Sequence, residues 1–163
     1  MDNLSAEDVV TMAVKMEDNG ETIYRRLAKR YEAEELGAVF GRLAEQELLH
    51  KSYFEGLLST VKKDPGQIWF KPDLFEFLKI FAGDYLFIPG NMVGIGSQEF
   101  KTKGEALDFA MTSEKDAVLF YGELAKLAPE NERVAIAKVI EQEKHHFVLL
   151  ANEKNNLIKS GGK

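Results

Sequence analysis

The sequence contains no cysteine. Disulfides, zinc ribbons, thiol catalysis and cysteine-ligated iron–sulfur centres are therefore excluded within this chain. Proline is scarce, at 4 in 163 residues, while Leu, Ala, Glu and Lys are plentiful; that mix favours helix. Long apolar runs are missing: stretches such as Tyr85 to Pro89 are far too short to cross a bilayer. The N-terminal MDNLSAEDVV is acidic and polar, without the basic start and apolar core of a signal peptide. These features lead us to expect a cytoplasmic protein with no membrane partner. A concentrated basic face is also lacking, and the net charge is −6, so no nucleic-acid partner is expected. Hydrophobic residues make up 45%, enough for one globular domain, 1–163, with a real core.

Four stretches carry helical periodicity. The first is expected from about Ser5 to Glu34, with Ser5 and Asp8 resembling a capping box. Its core-spaced positions are Val10, Ala13, Glu17, Gly20, Tyr24, Ala28 and Tyr31. The second runs from about Glu35 to Lys62, with Phe40, Leu43, Glu47, His50, Phe54, Leu57 and Val61 on one face, and ends at the turn Asp64-Pro65-Gly66. The third starts at Thr102, where Glu105 is expected to complete a capping box, and Pro129 closes it. Its stripe is Leu107, Ala110, Glu114, Ala117, Tyr121, Leu124 and Ala128. The fourth runs from about Glu130 to Ser160 through Ile136, Val139, Glu143, His146 and Leu150.

Residues 63–101 lie between the second and third helices and are rich in aromatics. The segment is too long for a tight turn. It can return along a helix of about 37 Å, the length of roughly 25 residues at 1.5 Å each. Pro72 to Ala82 is expected to form a short extra helix, and Gly90, Gly94 and Gly96 to lie in loop. The predicted class is all-α: a four-helix bundle with two hairpins, about 5–62 and 102–160, joined by a long crossover.

The two hairpins repeat each other. A glutamate follows the cap by twelve residues in both, at Glu17 and Glu114, and a tyrosine follows it by seven, at Tyr24 and Tyr121. The second helix of each carries Glu-Gln-Glu-x-x-His, at Glu45 to His50 and Glu141 to His146. So many shared offsets point to a duplicated hairpin with an approximate two-fold axis.

Glu17, Glu47, His50, Glu114, Glu143 and His146 all fall within apolar stripes. A core-facing helix should not place carboxylates there. A buried carboxylate protonates, pairs or coordinates a metal, and the stripes hold no Arg or Lys to pair with. Residues i and i+3 stand about 5–6 Å apart on one helix face, so each Glu-x-x-His can offer an oxygen and a nitrogen to one ion. One Glu from each of two helices plus Glu-x-x-His from each of two others is the constellation known from di-iron bundles. Four carboxylates balance two divalent ions, with Glu47 and Glu143 expected as bridges and Glu17 and Glu114 as terminal ligands. The donor mix suits iron or manganese, or a mixed pair, more than structural zinc. Tyr24 and Tyr121 read either as core tyrosines or as hydrogen-bond donors to metal-binding carboxylates. His145, Glu45 and Glu141 lie off the stripes and are expected to face away from the core.

These residues resemble the rubrerythrin branch of the ferritin-like di-iron carboxylate superfamily. The resemblance covers both hairpins, roughly Ser5 to Lys62 and Thr102 to Asn156. It implies a ferritin-like fold and two iron ions held by Glu17, Glu47, His50, Glu114, Glu143 and His146, which also carry the reaction. The implied activity is that of an oxidoreductase acting on hydrogen peroxide or dioxygen, with a place in oxidative stress. The chain departs from the pattern at Ala117, where rubrerythrins carry a further glutamate, and in lacking a four-cysteine rubredoxin domain. Its electrons would then come from a separate donor protein such as a rubredoxin. Bacterioferritins share the six-residue pattern, but their haem-binding methionine is Leu48 here, so no haem is expected, nor a flavin. The expectation is a homodimeric peroxide or dioxygen reductase. The alternatives are a ferroxidase for iron storage or detoxification and a helical interaction module with a vestigial site.

Overall fold

The computed structural model describes residues 5–63, Phe77 and 99–161. Four helices carry the described chain: α1 (Ala6–Arg30), α2 (Glu35–Lys63), α3 (Lys103–Leu127) and α4 (Glu130–Lys159). Of the crossover between Lys63 and Glu99, Phe77 alone lies among the described residues. The expected Asp64-Pro65-Gly66 turn, Pro72 to Ala82 helix and glycine-rich loop fall outside them.

Local chemistry sets the ends of these helices. At α1 the Ser5 side chain accepts from the Asp8 backbone N–H, and the Asp8 carboxylate accepts from the Ser5 backbone, forming a complete capping box. At α3 only half of the expected box forms. Thr102 Oγ1 accepts from Glu105 N at 3.1 Å, but the Glu105 carboxylate reaches past Thr102 to the backbone N–H of Lys101 at 2.7 Å. At the other end of α3, the Arg133 side chain donates to the Ala128 carbonyl at 2.8 Å, satisfying a group beyond the helix.

The first helix stops at Arg30 rather than continuing to Glu34 as expected. Glu32, Glu34 and Glu35 crowd the negative end of its dipole, which favours cations instead. The chain turns through Glu34 N–H to Tyr31 O at 2.8 Å and Gly37 N–H to Glu34 O at 3.0 Å. Gly37 makes that turn possible, since a Cβ there would lie 2.3 Å from the Tyr31 carbonyl oxygen.

The short α1–α2 and α3–α4 connections make two antiparallel hairpins. Contacts between them fix their relation. Glu17 meets Tyr121 while Tyr24 meets Glu114, so α1 and α3 run in opposite directions. Gln46 faces Gln142 while Tyr53 faces Glu132, so α2 and α4 do too. It follows that α3 runs parallel to α2, so the end of α2 and the start of α3 lie at opposite ends of the bundle, as a long crossover requires.

The core is two apolar clusters separated by a polar layer. One cluster gathers Val10, Phe54, Phe120, Tyr121 and Ile136 from all four helices. The other gathers Leu27, Phe40, Leu43, Leu107 and Leu150. Each fully buried side chain of this size contributes about 1.5–3 kcal/mol, so the two clusters can hold the bundle together around a layer that would otherwise open it. Among the described residues no helix is long and apolar enough to cross a membrane.

Candidate metal centre

Each helix passes from one apolar cluster to the other, and at the crossing point carries a charged group: Glu17 on α1, Glu47 and His50 on α2, Glu114 on α3, Glu143 and His146 on α4. All six residues are buried, none more than 5% exposed. The structure thus brings together every residue singled out from the duplicated motif.

Glu143 sits at the centre. Its Oε1 lies 3.0 Å from His50 Nδ1, and its Oε2 lies 2.9 Å from His146 Nδ1. His50 Nδ1 also faces Glu17 Oε2 at 3.6 Å. His146 Nδ1 faces Glu47 Oε1 at 3.3 Å and Glu114 Oε2 at 3.6 Å. The two imidazoles lie side by side, ring centres 5.7 Å apart.

The donors fall into two overlapping sets. Glu17, Glu47, His50 and Glu143 form one; Glu47, Glu114, Glu143 and His146 form the other. Within each, one ligand atom per residue lies within 4.8 Å of all the others. Glu47 and Glu143 belong to both sets.

Several of these atoms lack partners. Glu17 Oε2, Glu47 Oε1, His50 Nδ1 and Glu143 Oε1 are buried without a hydrogen bond. His50 Nδ1 and Glu143 Oε1 are close but not aligned to bond. Unsatisfied buried polar groups cost about 1–3 kcal/mol each, more when charged, so four in one layer call for something that satisfies them together. Cations bound by carboxylate oxygen and imidazole nitrogen meet that need, and the residues present fit a pair of them.

Two of the other carboxylate oxygens are tied down by tyrosines. Tyr121 Oη donates to Glu17 Oε1, and Tyr24 Oη donates to Glu114 Oε1. Each tyrosine therefore holds the glutamate of the opposite hairpin. Of the two readings open at the sequence level, the structure selects hydrogen-bond donors to the site carboxylates. On the outer side, His50 Nε2 lies 3.1 Å from Gln142 Oε1, an arrangement that leaves Nδ1 to face the layer once Nε2 carries the proton. Gln142 was not singled out from the sequence, although the glutamine repeated in both Glu-Gln-Glu-x-x-His motifs was the available signal. His145, Glu45 and Glu141 are exposed, as their positions off the stripes predict.

Electrostatics show what the layer does without cations. Burial, then the charges of Glu143, Glu17 and Glu114, push the Glu47 carboxyl well above the usual range. Burial also raises Glu114, to about 8, although His146 pulls it down. Burial would raise Glu143 too, but the adjoining His146 and His50 hold it at about 2. Burial would lower both histidines, yet Glu143 and Glu17 push His50 up to about 10, and Glu114 and Glu143 push His146 up to about 9. Burial, reinforced by the facing carboxylates, keeps Tyr24 and Tyr121 protonated well above their ordinary range. Raised in this way, Glu47, Glu114, His50 and His146 would have to give up protons to bind metal.

Comparison with known proteins agrees with this geometry. The family model described as Rubrerythrin matches residues 8–81. A crystal structure described as a ferritin-like diiron-carboxylate protein from Thermotoga maritima superposes with a TM-score of 0.68 at 25% identity, covering 95% of this chain and 97% of that one. No curated protein matches the sequence. The chain is a ferritin-like, all-α four-helix bundle that resembles the rubrerythrins.

Proposed function

We propose that this protein is a non-haem di-iron oxidoreductase that reduces hydrogen peroxide or dioxygen, using electrons from a separate protein such as a rubredoxin. The observation that carries the reading is Glu143, whose two oxygens face two histidines at the junction of two four-donor sets. In this reading Glu17, Glu47, His50 and Glu143 hold one ion, and Glu47, Glu114, Glu143 and His146 the other. Four carboxylates offset the charge of two divalent ions. When bound, such a pair supplies two reducing equivalents and open positions for a small oxidant.

The chain's own residues do the rest. Glu47 and Glu143 keep the two positions adjacent. Tyr121 and Tyr24 hold Glu17 and Glu114 by hydrogen bonds that leave the second oxygen of each facing a histidine. Gln142 orients His50. The apolar clusters above and below exclude bulk water, which strengthens every charge interaction between them. The reading takes the working assembly to be a homodimer.

The test is anaerobic loading with ferrous iron followed by oxidant. Two ferrous ions and two protons reduce one hydrogen peroxide to two waters, so oxidation should be complete at one peroxide per two irons. Slow oxidation by peroxide but fast oxidation by dioxygen, with many irons taken up per chain in a large hollow assembly, would favour iron storage instead.

A further inference from the structure

Gly20 stands in the interior of α1, three residues after Glu17, on the stripe that faces the core. Glycine in a helix interior is disfavoured against alanine, because it gives up more backbone freedom on folding. No turn or positive φ requires it here: the single glycine with positive φ among the described residues is Gly161. Its neighbours supply a reason. A Cβ added at Gly20 would lie 3.0 Å from Glu47 Oε2, 3.3 Å from Glu47 Cγ and 3.4 Å from Glu47 Cδ. All three nearest atoms belong to one glutamate, and that glutamate is common to both donor sets. Gly56 and Gly122, also inside helices, are different: a Cβ at either would meet nothing within 4 Å. In the second hairpin the position three residues after Glu114 is Ala117, so the clearance exists on one side of the duplicated site only.

We propose that Gly20 is a positioning residue for Glu47, giving its carboxylate the room to set Oε2 against α1 and turn Oε1 toward the shared polar layer. This deepens the two-ion reading and rests on it. Glu47 Oε1 is buried and unpartnered, 3.3 Å from His146 Nδ1, while Oε2 lies against Gly20. The carboxylate is thus held edge-on between a bare stretch of helix and an imidazole. A methyl group at residue 20 would displace it by a few tenths of an ångström. Metal–ligand distances hold to about 0.2 Å, so that displacement is large enough to spoil a shared ligand, yet small enough for a flexible side chain to absorb without unfolding the helix.

The experiment compares the full chain with Gly20→Ala and the matched control Gly122→Ala, using cobalt(II) as probe and following both its visible absorption and calorimetric binding. Thermal melts of the metal-free proteins are recorded alongside. Both variants should melt at or above the wild-type temperature when metal-free, since alanine favours helix. Gly20→Ala should bind cobalt about tenfold more weakly, the lower end of the effect of disturbing a ligand's orientation, with an altered visible spectrum. Gly122→Ala should bind as the wild type does. Equal binding by wild type and Gly20→Ala would overturn the proposal and leave the two-ion reading intact. A wild type that takes up no cobalt would overturn the two-ion reading, and the proposal with it. Should Gly20→Ala not fold, the double variant Gly20→Ala/Glu47→Ala, which removes the side chain being struck, should recover the fold; failure to recover it would place the clash elsewhere and overturn the proposal.

Discussion

Removing one carboxylate should affect one ion or both, depending on which carboxylate is removed. Glu47 belongs to both donor sets and Glu17 to one. Glu47→Gln and Glu17→Gln are nearly isosteric and each replaces one buried carboxyl group, so they differ mainly in how many positions they damage. At a hundredfold excess over the dissociation constant, each bound ion stabilises the fold by about 2.7 kcal/mol, or about 5 kcal/mol for two. For a chain of this size each kcal/mol shifts the melting temperature by about 2–4 °C. The wild type should therefore melt about 10–20 °C higher with metal than without. Glu17→Gln should keep about half of that gain, and Glu47→Gln little of it. The metal-free Glu47→Gln protein should also be more stable than the metal-free wild type at pH 8, because it loses a carboxyl that burial and three neighbouring glutamates oppose. The assay is thermal unfolding by circular dichroism under anaerobic conditions with and without ferrous iron. Equal losses in the two variants, or no metal-dependent gain in the wild type, would refute the overlapping-set geometry.

Three further outcomes follow from the same structure. Tyr121→Phe removes the donor to Glu17 Oε1 and should cost the metal-bound protein about 1.5–3 kcal/mol in urea unfolding, the worth of a hydrogen bond to a charged group. The metal-free protein should lose stability as pH rises from about 4.5 to 10. Glu114, His50 and His146 have folded values raised to about 8, 10 and 9, so the folded state holds protons that the unfolded state has released, and each contribution fades as pH climbs through those values; urea titrations at pH 5, 7 and 9 measure it. Gly37→Ala places a Cβ 2.3 Å from the Tyr31 carbonyl oxygen and 2.6 Å from its carbon, backbone atoms that cannot swing aside. It should destabilise by at least about 1–3 kcal/mol, seen as a lowered melting temperature even without metal.

The four helices and the six-residue cluster were legible because both rest on periodicity. A carboxylate at a core-spaced position contradicts its own surroundings, and the contradiction appears twice at matching offsets. Contacts between helices were less legible. Tyr24 lies seven residues after Glu17, about 10.5 Å along α1, too far to reach it; its hydroxyl instead meets Glu114 from the other hairpin. The sequence places each tyrosine near the polar layer but does not say which glutamate it holds, because that depends on the antiparallel pairing of α1 with α3. Gln142 was overlooked for a similar reason: it is an exposed helical residue whose role depends on His50 approaching from α2. The early end of α1 turns on the local balance between helix propensity, which favours glutamate, and the dipole, which opposes it at a C-terminus. The half-formed box at Thr102 depends on a carboxylate choosing between two adjacent backbone N–H groups, and composition does not distinguish them.

The central claim is that the layer holds two ions. The direct measurement is metal content per chain by elemental mass spectrometry after anaerobic loading with ferrous iron and removal of the excess by gel filtration. The overlapping sets built on Glu47 and Glu143 predict two irons per chain. A protein that emerges folded but without bound metal would contradict the account and leave its buried carboxylates unexplained.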